Sequence, residues 1–166
     1  MNFFFTDPSE PAKLRNLTEI YEREMDARLA YEQHLERLKH RFPEETGRFL
    51  FSPWYHDPRS HLCPHDGRFE RLDLTPGSTG LNLTISIRGA YGDETLRFSY
   101  LGVTFLHLAS QRCPGKTDLG DWLVDEFDID PAGNVVHEIR WERGAWKIVA
   151  ATVALSSSGQ TATGSA

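Results

Sequence analysis

The stretch from Tyr55 to Asp66 holds the densest collection of reactive side chains in the chain: three histidines, one cysteine and two aspartates. Imidazole nitrogen, thiolate and carboxylate are the donor types that zinc accepts, and a loop wraps them into a tetrahedron more readily than a strand does. His56, His61, Cys63 and His65 are therefore the candidate metal ligands, with zinc the cofactor they would hold. Their spacing is not that of a zinc finger or ribbon, and no H-E-x-x-H pair occurs. The intervening prolines favour extended backbone, in which His61, Cys63 and His65 point to one side as a strip. The alternative is a group of polar surface and capping residues where a loop meets a strand.

A second concentration is acidic. Asp118, Asp121, Asp125, Glu126, Asp128 and Asp130 follow one another closely, with Lys116 as their one basic neighbour. The spacing lacks the central glycine and terminal glutamate of a calcium loop. Read as a strand, it puts Leu123, Asp125, Phe127 and Ile129 on one face and Val124, Glu126, Asp128 and Asp130 on the other, so most of the acids form a solvated row. Val136, Glu138, Arg140 and Glu142 join that row across a hairpin. Such a face either blunts edge aggregation or serves as a platform for a basic partner protein, where complementary charge speeds encounter. The residues of that platform are Asp125, Glu126, Asp128 and Asp130, with Trp122 as an aromatic anchor at the start of the strand.

Trp141 and Trp146 flank the Arg143-Gly144 turn and could anchor an interface. Trp141 shares a strand face with Val135, His137 and Ile139, however, which favours the core. His107 and His137 each fall on an apolar strand face and read as hydrogen-bonded core histidines. There is no G-x-S-x-G elbow, no glycine-rich phosphate loop and no serine or cysteine in an activating context. Nothing singles out a pair of carboxylates. The chain reads as a binding protein before it reads as an enzyme.

Positioning these residues falls to two kinds of element. Asp7-Pro8-Ser9-Glu10 reads as a helix start, and Leu14, Leu17, Tyr21, Met25, Leu29, Tyr31, Leu35, Leu38 and Phe42 follow at spacings of mostly three and four. This predicts one long amphipathic helix, or two, ending before Pro43. Its stripe packs on the chain's own sheet or forms the seam of a homodimer. From Pro43 to Pro64 prolines interrupt anything regular, while Phe49, Phe51, Trp54 and Tyr55 make the connector too apolar to be a floppy linker. Beyond Asp66 the period becomes two. Strands are expected over 69–74, 81–88, 95–100, 103–108, 122–130, 135–142 and 145–155, joined by short turns that make neighbours antiparallel. The resulting organisation is a helical lead (1–43), a connector rich in proline, histidine and aromatic residues (44–66), an antiparallel β domain (67–155) and a polar, disordered tail (156–166).

Composition sets the outer limits. A chain of 166 residues, 39% hydrophobic and 25% charged, is one domain's worth of sequence and can bury a core. The net charge of -6 is spread evenly along it, with no basic run to grip phosphate backbones or anionic lipid, so nucleic-acid and membrane partners are disfavoured. Without a basic n-region, the Phe3-Phe4-Phe5 triplet is no secretory signal, and a cytoplasmic location is expected, with Cys63 and Cys113 as free thiols.

Several short motifs together carry a resemblance. They are Tyr31, Leu35, Leu38 and Phe42-Pro43 on a helix, the His65-Asp66 step into a strand, the run from Leu96 to Val103, and Asp125-Glu126 before a hairpin. In this combination the chain, over most of residues 28–155, resembles small uncharacterised bacterial domains, some of which lie beside polymorphic toxins and are taken for immunity proteins. The resemblance transfers no catalytic residue. The expectation is thus an α+β protein, its N-terminal helix leaning on an antiparallel β-sandwich or partly open barrel, acting on another protein through an acidic sheet face.

Overall fold

Alternation from Leu83 to Tyr100 builds the centre of the molecule. In the computed structural model, which describes residues 17–78, 80–111 and 118–159, Leu83, Ile85, Ile87, Leu96, Phe98 and Tyr100 are all buried. They lie on one face of a single six-stranded antiparallel sheet, in the order β1-β2-β3-β6-β5-β4. The strands are β1 (Arg68–Gly77), β2 (Gly80–Arg88), β3 (Glu94–Ser110), β4 (Trp122–Ile129), β5 (Val135–Trp141) and β6 (Gly144–Gly159). Fully burying each large apolar side chain contributes about 1.5–3 kcal/mol, so this face dominates the fold's stability. Two stacked sheets are not present among the described residues. The one sheet instead brings its outer strands together at one end, where Arg68 and Asp121 form an isolated bridge and Trp122 N donates to Gly67 O at 2.8 Å.

Two strands differ from expectation, and bulges explain both. Gly102 does not end a strand. With φ of 63° it sits in a bulge, and β3 continues through it to Ser110. A second irregularity between Val103 and Phe105 reverses the alternation, so Leu106 pairs with buried Ile148 while His107 is exposed rather than part of the core. At the other end, β6 runs to Gly159, and Ser156 to Ser158, expected in the tail, pair with Arg97, Leu96 and Thr95. The remainder of that tail, the Asp7 helix start and Cys113 lie outside the described residues.

The helices close one end of the buried face. α1 (Leu17–Leu38) is continued by a 3-10 turn at Lys39–Arg41, and α2 (Glu44–Leu50) follows. Of the stripe's described side chains, Tyr31, Leu35 and Phe42 are buried, whereas Met25 and Leu29 are 46% and 55% exposed. The expected connector contains α2. Pro43 fills its N-cap position with no amide donation required of it, Glu44 and Glu45 occupy the positive end of the helix dipole, and Thr46, Phe49 and Leu50 turn inward. Thr46 Oγ1 donates to Val153 O at 2.8 Å and accepts from Val153 N at 3.1 Å, which pins α2 to β6. α1 lies against β4, a strand at the sheet's edge, where Phe127 N donates to Tyr31 Oη at 2.6 Å. A free edge amide is thereby covered by a helix. Among the described residues no helix is long and apolar enough to cross a membrane.

Candidate functional site

β4 carries the acid that matters most, and a bulge decides how. Trp122 pairs with Trp141, but Val124 pairs with Arg140, so Leu123 is the extra residue. Trp122 therefore joins Asp125, Phe127 and Ile129 on the inner face, and Leu123 turns out. The parity that groups Asp125 with Phe127 and Ile129 holds, and it puts a carboxylate into the core.

Asp125 is kept there by donors from three elements. Tyr55, in the turns after α2, donates its hydroxyl to Oδ2 at 2.5 Å, and His137 Nε2 on β5 lies 3.0 Å from the same oxygen. Trp122 Nε1 donates to Oδ1 at 3.3 Å. Because an ionised carboxylate only accepts, these partners assign the proton of His137 to Nε2. Nδ1 is then free to accept from the Tyr100 hydroxyl at 2.8 Å. Burial works against charge on Asp125, yet the hydrogen bonds from His137 and Tyr55 hold its carboxyl below the usual range. Burial pushes the His137 imidazole below its ordinary value despite the pull of Asp125. Burial, and then the charge of Asp125, push the Tyr31, Tyr55 and Tyr100 hydroxyls well up, so they remain donors. The set is a fixed carboxylate, a neutral imidazole and protonated phenols. His137 stacks on Phe127 at 3.9 Å between ring centres, which fixes the imidazole plane.

Above Asp125 a cavity of about 270 Å³ opens between α1, the turns of residues 51–66 and the start of β4. Tyr31 and Leu35 form one wall, Tyr55, His56, Pro58, Cys63, Pro64 and His65 a second, and Trp122, Leu123, Val124 and Asp125 the third. Arg28 and Glu32 sit at its rim, paired with each other at 3.0 Å. The lining is mostly apolar and aromatic, with Asp125 the buried charge.

The four candidate zinc ligands are divided. His56, Cys63 and His65 reach the cavity wall, but His56 Nε2 pairs with Leu50 O at 3.2 Å and His65 Nδ1 with Asp66 at 3.1 Å. His61 lies elsewhere, bonded to Asp93 and stacked on Tyr91. Among the described residues, no three His, Cys, Asp or Glu side chains are grouped to hold a metal ion. Cys63 is a free, buried thiol whose pKa burial pushes up.

The acidic platform is also rearranged. Trp122 and Glu126 are buried and the Asp125 side chain is 11% exposed, so three of the five platform residues are not on an open surface. Asp128 pairs with His34 of α1 at 3.1 Å, and Asp130 caps the β4–β5 turn through Asn134. Glu138, across the hairpin, is paired with Lys147 at 2.6 Å. Trp141 and Trp146 are buried against each other, in the core.

Nothing in the sequence linked the three tyrosines of the site to Asp125 or His137. The available signal was an aspartate and a histidine, each alone on an apolar strand face of one hairpin. No family model, no curated protein and no solved structure matches this chain.

Proposed function

We propose that the protein is a non-catalytic protein-binding module that receives a basic partner in the cavity beneath α1, not on the outer face of the sheet. The observation that carries this reading is Asp125. It is a largely buried carboxylate, 11% exposed, that accepts from three donors, is kept ionised by His137 and Tyr55, and lines a recess walled by aromatic rings. A charge fixed in a poorly solvated pocket favours a complementary cation far more than a surface carboxylate does. The ties between β1 and β4 support a partly open barrel, and a mouth of such a barrel is a common place for a ligand pocket. An accessory or immunity-type role is compatible with this arrangement.

The same geometry argues against bond-breaking. A general base works best with a pKa near the operating pH, and Asp125 is held below the ordinary carboxylate range. A nucleophilic cysteine needs a lowered pKa, and that of Cys63 is raised. His137 is fully buried behind Asp125, with both ring nitrogens engaged.

The test is a residue-resolved NMR titration with a short basic peptide and an acidic peptide of equal length. Shifts concentrated at Tyr55, Trp122 and Leu123, with the basic peptide alone, are expected. Shifts centred on Asp128, Glu138 and Lys147 would return the role to the outer face. No shift at millimolar peptide would overturn the proposal.

A further inference from the structure

The hydrogen-bond arithmetic of Asp125 narrows the kind of cation the cavity can take. This step rests on the binding role proposed above and deepens it. Each carboxylate oxygen offers about two lone-pair sites. Oδ2 is saturated, since it accepts from both Tyr55 and His137, at 2.5 and 3.0 Å. Among the described residues, Oδ1 accepts only from Trp122 Nε1, at a long 3.3 Å. One acceptor site on one oxygen therefore remains. A guanidinium binds a carboxylate best with two parallel N–H groups, one to each oxygen, and that fork finds Oδ2 taken. A primary ammonium is a compact charge that needs one oxygen and tolerates aromatic faces around the rest of its surface. The rings of Tyr31, Tyr55 and Trp122 lie in the wall, and Leu35, Pro58 and Leu123 offer an apolar lane for a stem. At about 270 Å³ the space falls below the ~300–1,000 Å³ of ordinary ligand pockets, which suits a group the size of one side chain. Arg28 at the rim pairs with Glu32 at 3.0 Å and not with Asp125.

We infer that the cavity is a site for a primary alkylammonium group, bound through Asp125 Oδ1 with its alkyl stem along the apolar wall. The group is carried either by a lysine side chain of the partner or by a free alkylamine.

Cys63 lines the cavity and supplies a readout in the full chain carrying Cys113→Ser, which leaves one thiol. The rate of Cys63 alkylation is measured at mildly alkaline pH, where an alkylamine is still charged, against n-butylammonium, n-butylguanidinium and the uncharged 1-pentanol. Half-protection by n-butylammonium at a concentration at least about tenfold lower than by either competitor is expected, a difference of about 1.4 kcal/mol. Equal protection by 1-pentanol would overturn the ammonium assignment while leaving an apolar binding cavity. Better protection by n-butylguanidinium would overturn the argument from the single free site. If none protects but the basic peptide still shifts the cavity resonances, the inference fails and the binding role stands; if neither effect appears, both fail. A fourth arm with Nα-acetyl-lysine N-methylamide separates the sources. Protection matching n-butylammonium supports a partner's lysine, and protection by the free amine alone supports a small amine and overturns the protein partner.

Discussion

Asp125 Oδ2 and His137 Nε2 lie 3.0 Å apart inside the buried face of the sheet, diagonal neighbours on the β4–β5 hairpin, and each satisfies the other. A buried ion-like pair is weak evidence for stability in itself, but removing one member leaves the other's desolvation uncompensated. The His137→Ala variant is expected to lose about 3–5 kcal/mol, because it strips Asp125 of a donor, Tyr100 of its acceptor and Phe127 of its stacking ring. The His137→Phe variant keeps the ring volume and should lose less, about 1–3 kcal/mol, the cost of partners left unsatisfied. Urea unfolding at neutral pH checks both, and equal losses would show that the polar network and not the packing of the ring is at stake.

The same two groups set a pH dependence with one sign. His137 binds its proton less readily folded than unfolded, and so does Asp125. For a depressed pKa, stability is present above the unfolded value and is lost as pH falls through the folded one. Stability should therefore be flat above about pH 7 and decline below about 6.5 as unfolded His137 becomes protonated, with a further loss below about 4 through Asp125. The titratable groups around them include the Tyr31, Tyr55 and Tyr100 hydroxyls, which stay protonated throughout this range, and His56, Cys63 and Glu138 also lie close enough to interact with the pair. A series of urea midpoints from pH 4 to 8 reads the curve, and the His137→Phe variant should flatten its upper limb.

How much of this was legible in the sequence can be argued from the same hairpin. Period two was enough to put Asp125 on the face of Phe127 and Ile129, and His137 on the face of Val135, Ile139 and Trp141. What alternation could not show is that the two would meet, because a lone polar residue on an apolar face gives no sign of its partner. Strict alternation would set Trp122 on the face of Val124; the bulge at Leu123 brings it inward, and that bulge goes with the tie of the strand start to Gly67, a contact across the sheet. Thr104 misled in the same way about His107. α2 was hidden because seven residues after a proline give too few turns for a helical period to emerge. The cavity wall draws on Tyr55, Cys63 and His65, which the turns of 51–66 fold back against β4, and only long-range packing specifies that. Alternation alone sets the acids in a row, whereas pairing with His34, Asn134 and Lys147 leaves the outer ones engaged.

Tyr31 links α1 to the edge of the sheet through one hydroxyl. The Tyr31→Phe variant leaves the Phe127 amide unpaired at a buried edge, at a cost of about 1–3 kcal/mol. Amide exchange at Phe127 should accelerate more than at Phe98, in the middle of the sheet. Unchanged exchange at Phe127 would mean that the helix does not guard that edge.

Thr46 makes the corresponding link for α2. Its hydroxyl both donates to and accepts from the backbone of Val153, so the nearly isosteric Thr46→Val change removes two hydrogen bonds without opening space. A loss of about 1–3 kcal/mol is expected, read as a lower urea midpoint with unchanged m-value. Phe49 and Leu50 would keep α2 seated by apolar contact, so far-ultraviolet dichroism should be unaffected.

Charge changes on the two faces of β4 decide between the cavity and the outer row as the place where a basic partner binds. Asp128 lies toward solvent beside His34, whereas Asp125 lies beneath the cavity. The Asp128→Asn change removes a screened charge and should weaken binding of a basic peptide by less than about threefold, in keeping with the ~0–1 kcal/mol of exposed ion pairs. The Asp125→Asn change keeps the shape but removes the buried charge, and should weaken it by more than tenfold, with 1-pentanol protecting Cys63 as before. A folded Asp125→Asn variant that binds the peptide unchanged would place recognition outside the cavity. The comparison is informative because both substitutions remove one negative charge from the same strand, so any difference between them reports burial and not net charge.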